Sequence, residues 1–182
     1  MAVGKPIDHA TCPYRGRSEA WDRSSRQQPR TPVKFYVRFD MGWTHHWSRP
    51  TELPAELFAA AVRDWQRIQG ATTVPLAGFD GTGEPQVDEE HIVFNGAAPQ
   101  CCEPFEIARV EFDRRGDPAV MSFCKPESMP YDVCVQAALI VLKHHLGDLI
   151  TVTSDGNDDD WHSGRQLVCD ALGYGDSFRL DR

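Results

Sequence analysis

Residues 128–147 constrain the fold more than any other part of this sequence. Ser128 and Pro130 are typical of the start of a helix, and Gly147 is typical of its end. Between them the apolar residues cover more than one side of a helix: Val133, Ala137, Ala138, Ile140, Val141 and Leu142. A helix that is apolar on several sides must be buried. The sequence therefore predicts a helix packed against a sheet in the protein interior.

Apolar periodicity predicts the remaining elements. Residues 54–69 place their apolar side chains on one helical face between Pro54 and Gly70, which indicates an amphipathic helix. A last helix is predicted to follow the acidic residues 155–160 and to end at Gly173. Alternating or β-branched segments predict strands at residues 33–39, 91–95, 105–112, 119–124 and 149–153.

The order of these elements, β-α-β-β-β-α-β-α, indicates the fold class. Short turns between the strands from residue 91 to residue 124 favour antiparallel pairing, including a hairpin turn at residues 113–118. The sequence therefore predicts an α+β fold with a mainly antiparallel four- to five-stranded sheet and helices packed on one face. Residues 33–182 are long enough to form a single domain of this kind.

Residues 1–32 have a different composition from the rest of the chain. They contain six lysines and arginines and three acids, so they carry a charge of +3 while the remainder carries −11. They are also rich in serine, glutamine and proline, which predicts a disordered basic leader or docking arm. Nucleic-acid binding is possible only through this leader, because an acidic body repels phosphates.

The chain has no sequence hallmark of a membrane protein or of a secreted protein. Its longest apolar run, residues 137–142, is far shorter than the roughly 20 residues that a membrane helix needs. The sequence therefore predicts no membrane contact and a cytoplasmic location, where the six cysteines are expected to be thiols. There is no CxxC pair, phosphate-binding glycine loop or metalloprotease motif, so we predict no metal and no cofactor.

One set of polar residues is expected to meet at an edge of the sheet, beside the start of the central helix. The amino end of a helix and a nearby lysine both lower the pKa of a thiol, and a helix start also attracts anions. The alternative interpretation is that these residues are caps, turns and a buried thiol. This candidate binding or active edge consists of Cys124, Lys125, Tyr131, Asp132, Ser154 and Asp155.

Two other segments carry candidate chemistry. Residues 41–49 are predicted to be a loop in which aromatic and histidine side chains form a surface for a ligand or partner: Trp43, His45, His46 and Trp47. The acidic residues 155–160 offer oxygen ligands for Mg²⁺ or Ca²⁺, although their spacing is not that of an EF-hand. The alternative for this acidic loop is a turn that caps the following helix.

A succession of short motifs between residues 91 and 173 resembles small hypothetical proteins of bacteria and their phages. This resemblance implies a bacterial or phage origin and carries no known activity. The motifs that support it are Phe94-Asn95-Gly96, Glu103, Phe105, Phe123-Cys124-Lys125, Pro130-Tyr131-Asp132, Ser154-Asp155-Gly156 and Trp161.

The absence of a complete catalytic motif favours a non-enzymatic interaction protein that acts through protein–protein contacts, with a protein partner or with itself. The alternative hypothesis is a small hydrolase or ligand-binding enzyme centred on the candidate edge. A third hypothesis is nucleic-acid binding through residues 1–32.

Overall fold

The computed structural model describes residues 42–112 and 116–182. Three predictions fall outside these ranges: the basic leader at residues 1–32, the domain boundary that follows it, and the strand at residues 33–39. In chain order the helices and strands are β1 (His45–Pro50), α1 (Ala55–Ala71), β2 (Leu76–Ala77), β3 (Gln86–Val87), β4 (His91–Gly96), β5 (Phe105–Ala108), β6 (Ala119–Cys124), α2 (Asp132–Leu146), β7 (Thr151–Ser154) and α3 (His162–Leu172).

The predicted α+β class is confirmed, and all strand pairs are antiparallel. The described strands form two sheets. One has three strands in the order β6-β1-β7, and in the other β4 pairs with β2, β3 and β5. None of the helices within the described ranges is long and apolar enough to cross a membrane.

The predicted hairpin between residues 105–112 and 119–124 is wrong, because β5 and β6 lie in different sheets. After β5 the chain turns to pair with the segment that leaves β1. The N–H of Leu53 donates to Arg109 O at 2.9 Å, and the N–H of Glu111 donates to Thr51 O at 2.8 Å. These bonds direct the chain away from β5 before β6 begins.

The predicted loop at residues 41–49 is also wrong from His45 onward, because this segment is the central strand β1. The side chains of His45, Trp47 and Arg49 are buried, and those of His46 and Ser48 lie on the opposite face. The alternation is that of a normal strand. Two of the three inward side chains are polar, and this hides the strand from a search for apolar periodicity.

The central helix is confirmed, and its buried residues surround the helix axis as predicted. It begins at Asp132 and not near Ser128, because Glu127 and Ser128 adopt left-handed φ angles of 52° and 59°. Helix α2 packs against both α1 and α3. Gly164 of α3 allows a close approach, since a Cβ atom there would lie 2.5 Å from Cβ of Gln136.

A row of buried aromatic rings connects the two sheets to helix α1. Trp47 of β1 lies 5.1 Å from Phe105 of β5, measured between ring centroids. Phe105 stacks on Phe94 at 5.0 Å, and Phe94 stacks on Trp65 of α1 at 4.6 Å. Such ring pairs contribute about 0.5–1.5 kcal/mol beyond the area they bury. The sheets therefore share one core although none of the described strands belongs to both.

Candidate functional site

His45 is the centre of a buried polar cluster that contains two residues of the predicted edge. Its Nδ1 atom lies 3.0 Å from Ser154 Oγ, and its Nε2 atom lies 2.7 Å from Asp132 Oδ1. The His45 side chain is fully buried, whereas 20% of the Asp132 side chain is exposed. Because both ring nitrogens have partners, the imidazole is satisfied without water. The cluster joins β1, β7 and the first turn of α2.

Gln136 extends this cluster to the last helix. Its Nε2 atom donates to Asp132 Oδ2 at 3.2 Å, and its Oε1 atom accepts from the N–H of Gly164 at 3.2 Å. The edge of the Trp161 ring faces His45 at a centroid distance of 4.8 Å. Buried polar groups of this kind fix a fold when every member is satisfied.

Ser154, His45 and Asp132 have the composition of a hydrolase triad but not its geometry. In Ser-His-Asp hydrolases Nε2 faces the serine and Nδ1 faces the aspartate, which is the reverse of the arrangement around His45. The Ser154 hydroxyl is also bonded to backbone groups: it donates to Thr44 O at 3.2 Å and accepts from the N–H of Gly156 at 3.1 Å.

The backbone around Ser154 does not form an oxyanion hole. The N–H of Asp155 donates to Thr44 O, that of Gly156 to Ser154 Oγ, and that of Asn157 to Asp160 Oδ2. Stabilising an oxyanion requires donors that converge on a position beside the nucleophile. These three N–H groups are already used, so the geometry supports a structural role for the cluster.

The other half of the predicted edge gathers around Glu103. Its carbonyl oxygen accepts from Tyr131 Oη at 2.6 Å and from Cys124 Sγ at 3.3 Å. Its carboxylate accepts from the backbone N–H of Lys125 at 2.7 Å. These contacts fasten the turn before β5 to the end of β6 and to the start of α2.

Cys124 is not in the environment that its sequence position suggests. Its side chain is fully buried, and burial raises the pKa of its thiol far above the ordinary range, with a further contribution from the charges of Glu103 and Asp132. Burial similarly raises the pKa of the fully buried Tyr131. The contacts support the alternative interpretation, a buried thiol, because desolvation of the thiolate outweighs the effects of Lys125 and the helix start.

Asp155 lies apart from the other edge residues. Its Oδ1 atom is 3.7 Å from Nε2 of His46, on the exposed side of the sheet, where both side chains are largely accessible. A hydrogen bond with Thr44 and the proximity of His46 lower the pKa of the Asp155 carboxyl. The structure thus divides the predicted edge among three places, centred on His45, Glu103 and His46.

The predicted partner surface is also divided. His45 and Trp47 are buried and are therefore removed from it, because β1 directs both side chains into the core. His46 is half-exposed and lies beside Phe123 at a ring-centroid distance of 6.2 Å. Trp43 is 37% exposed. Of the four residues in the predicted partner surface, His46 and Trp43 are therefore the two that remain accessible to another molecule.

The acidic loop forms a helix cap. Asn157 and Asp160 make a reciprocal capping box at the 3-10 turn Asp158–Trp161. The carboxylate of Asp158 accepts from the N–H of Leu180 at 2.8 Å. Within residues 42–112 and 116–182, no group of three or more metal-ligating side chains is placed to hold an ion. The capping interpretation of these acids is the one the contacts support.

A cleft between the two sheets was not anticipated from the sequence. It lies between β5 and β6 and has a volume of about 510 Å³. Its lining includes three apolar side chains and three acids: Phe79, Met121, Phe123, Glu103, Glu106 and Glu111. Met121 is 81% exposed, Phe123 is 57% exposed and Phe79 is 56% exposed. Exposed apolar groups that cluster in this way mark binding sites on soluble proteins.

Hydrogen bonds hold both ends of this cleft. At one end the fully buried guanidinium of Arg49 donates to Glu111 Oε2 at 2.7 Å and to Ala108 O at 2.7 Å. At the other end Glu103 makes the contacts with β6 and α2 described above. Because these anchors join strands of different sheets, the cleft is a preformed feature of the fold.

No protein-family model, curated protein or solved structure matches this chain. The function must therefore be argued from its own side chains. The sequence predicted His45 to lie on the surface of a loop, whereas it is buried on β1, and the sequence did not indicate Glu106 or Met121 as site residues. The one available signal was that residues 119–124 contain apolar side chains in both alternating sets.

Proposed function

We propose that this protein is a non-enzymatic binding protein that engages another protein through the cleft between β5 and β6. The observation that carries this proposal is the exposure of Met121 and Phe123 on strand β6. Both side chains face solvent from a strand whose other face is in the core, beside the exposed ring of Phe79. Apolar groups that remain accessible in this way gain free energy when a partner removes them from water.

The alternative, a hydrolase or ligand-binding enzyme centred on Cys124, Lys125, Tyr131, Asp132 and Asp155, has less support. Cys124 and Tyr131 are buried with raised pKa values. Asp132 is bonded to His45 and Gln136. A catalytic site needs a reactive group that a substrate reaches, and the side chains of Cys124, Tyr131 and Asp132 are committed to contacts within the protein. The bacterial or phage origin and the cytoplasmic location stay predictions from the sequence.

The proposal is tested by selecting displayed random peptides against the purified full-length protein and by measuring its mass in solution across a range of concentrations. We expect a peptide ligand or a self-associated form whose affinity falls at least about tenfold in the double variant Met121→Thr, Phe123→Thr. Threonine keeps the strand preference of the positions while removing their apolar area.

The matched control is Leu57→Gln, which removes a side chain that is 37% exposed on helix α1, away from the cleft. Binding should be unchanged in this variant. The proposal would be contradicted if the wild type, the double variant and Leu57→Gln bound equally well. It would also be contradicted if the wild type neither bound a peptide nor self-associated.

A further inference from the structure

Within the part of the chain that the structure describes, strand β6 has an open edge. It is the outer strand of the three-stranded sheet and pairs with β1 on its inner side. Among the described residues, no backbone hydrogen bond joins Ala119–Phe123 to a strand on its outer side. Its six residues contain no proline and no charge. Exposed edges are normally protected by charged residues, proline or a bulge, and β6 lacks charge and proline.

The opposite edge of the same sheet is closed by the end of the chain. The N–H of Asp181 donates to Val152 O of β7 at 2.9 Å, and its carboxylate accepts from the N–H of Val152 at 2.7 Å. Lys143 Nζ holds this carboxylate at 3.0 Å. The edge at β7 is thus occupied at Val152 by the protein's own chain, whereas no described segment occupies the edge at β6 beside the apolar cleft.

The charge of the cleft is one-sided. Its described lining holds three glutamates and one histidine, and no lysine or arginine. Glu111 is neutralised by Arg49, and Glu103 accepts from a backbone N–H, which brings no charge. Glu106 is exposed and, within the described ranges, has neither an ion pair nor a hydrogen bond from its side chain. A partner that brings positive charge therefore meets carboxylates, those of Glu103 and Glu106, that no described lysine or arginine neutralises.

From these observations we infer that the occupant of the cleft is an extended peptide segment of alternating apolar and basic residues, added as a fourth strand to the edge of β6. This inference rests on the proposed function. Successive side chains of an extended chain point to opposite sides. The segment therefore lays its apolar side chains beside Met121 and Phe123 and directs its lysines or arginines to Glu106 and Glu103. Strand addition supplies affinity through the backbone and specificity through alternate side chains.

The experiment is an unbiased selection of displayed eight-residue peptides on the full-length protein, followed by synthesis of the enriched sequence and titration by fluorescence anisotropy. We expect enrichment of alternating apolar and basic residues without proline. Strand addition is tested with two methylated forms of this peptide. One carries N-methyl groups on its odd-numbered backbone nitrogens and the other on its even-numbered ones. The form whose methylated nitrogens face β6 should bind at least about tenfold more weakly, because an N-methyl group removes the donor and blocks pairing.

The charge component is tested with Glu106→Lys and its matched control Glu89→Lys, an equal charge change at an exposed position outside the cleft. Glu106→Lys should weaken binding of the basic peptide at least about tenfold, and Glu89→Lys should change its affinity about twofold or less.

Enrichment of acidic or pattern-free peptides, or full binding of both methylated forms, would overturn the inference. A stable dimer that is lost in Met121→Thr, Phe123→Thr would also overturn it and assign the cleft to a second copy of the chain.

These outcomes separate the inference from the proposed function. If binding depends on Met121 and Phe123 but not on Glu106 or on peptide N–H groups, the proposed binding function is supported. The inference of a basic peptide added as a strand is then rejected. A peptide that binds equally well to Met121→Thr, Phe123→Thr rejects both, because its site lies elsewhere.

Discussion

His45 and Asp132, 87 positions apart in the chain, are joined by a hydrogen bond of 2.7 Å between Nε2 and Oδ1. This bond connects the central strand of one sheet to the first turn of the buried helix, and the His45 side chain is fully buried there. Substitutions in this buried polar cluster should therefore lower the free energy of unfolding.

Replacing His45 with alanine should destabilise the fold by about 2–4 kcal/mol, because it opens a void beside Trp161 and removes one hydrogen-bond partner each from Asp132 and Ser154. Its sequence neighbour His46 is half-exposed on the other face of the strand, so His46→Ala should change the free energy of unfolding by less than about 0.5 kcal/mol. Urea unfolding measures both values. Equal effects would show that the orientation of β1 is wrong.

Ser154 should behave as a structural hydroxyl and not as a nucleophile. Incubation of the native protein with a fluorophosphonate probe should leave Ser154 unlabelled, because its hydroxyl is bonded to Thr44 O and Gly156 N and no oxyanion donors converge beside it. Mass spectrometry measures the labelling. Stoichiometric modification that disappears in Ser154→Ala would revive the hydrolase alternative.

Cys124 should be among the least reactive thiols of the folded protein. Burial and the charges of Glu103 and Asp132 raise its pKa, so its thiolate is scarce at neutral pH. Burial also raises the pKa of Cys134, to about 11. Cys169 is exposed and should react with iodoacetamide before Cys124 and Cys134. Peptide mapping over time gives the order, and in denaturant the three rates should converge. Early alkylation of Cys124 in the native protein would contradict its burial.

Asp64 should make the protein sensitive to acid. Burial alone raises the pKa of this carboxyl. Hydrogen bonds from His145 Nε2 and Tyr174 Oη, both at 2.8 Å, the charge of His145 and a hydrogen bond from Arg67 more than offset burial and lower the pKa. A lowered folded-state pKa contributes stability that is present above the unfolded-state value of about 3.9 and is lost as pH falls through the folded-state value.

The free energy of unfolding of the wild type should therefore fall more steeply below about pH 4 than that of Asp64→Asn, whose side chain does not titrate. Asp170→Asn, at an exposed position on α3, serves as the control and should follow the wild type. Parallel pH profiles for the wild type and Asp64→Asn, measured by chemical denaturation, would show that Asp64 is not perturbed.

Two glycines in helices should respond to alanine in opposite directions. At Gly164 a Cβ atom would lie 2.5 Å from Cβ of Gln136, so Gly164→Ala should destabilise the contact between α2 and α3 by about 1–3 kcal/mol. At Gly70 no atom lies within 4 Å of an added Cβ, and Gly70→Ala should stabilise α1 by about 0.5–1 kcal/mol. Thermal unfolding distinguishes the two, and a stabilising Gly164→Ala would contradict the close packing of these helices.

The helices were predictable because their apolar residues recur at the helical period within a short stretch of chain. The strand β1 was not, because its inward side includes His45 and Arg49, whose burial depends on partners far away in sequence. Ser154 lies 109 positions from His45, and Glu111 lies 62 positions from Arg49. No local pattern encodes such pairings, so the burial of these polar groups emerges only when the strands are assembled.

The cleft was hidden for a related reason. In β6 both alternating sets contain apolar residues, so periodicity alone does not tell which set faces the core. The assembled sheet places Val120 and Cys124 inside and leaves Met121 and Phe123 outside. The two sheets become neighbours through the Arg49–Glu111 ion pair and the aromatic row, neither of which is visible as a motif.

The hydrogen bonds between Asp181 and Val152 of β7 limit where further strands can add to this sheet. A sheet that is open on both sides can propagate from molecule to molecule, because each new strand leaves another edge exposed. Here the C-terminal segment occupies the hydrogen-bonding groups of Val152, so the edge at β7 is closed at this position by the protein's own chain. Growth of this sheet through β7 is therefore blocked at Val152, and of the two outer strands in the described part of the chain, β6 is the one at which the strand addition that we propose would begin.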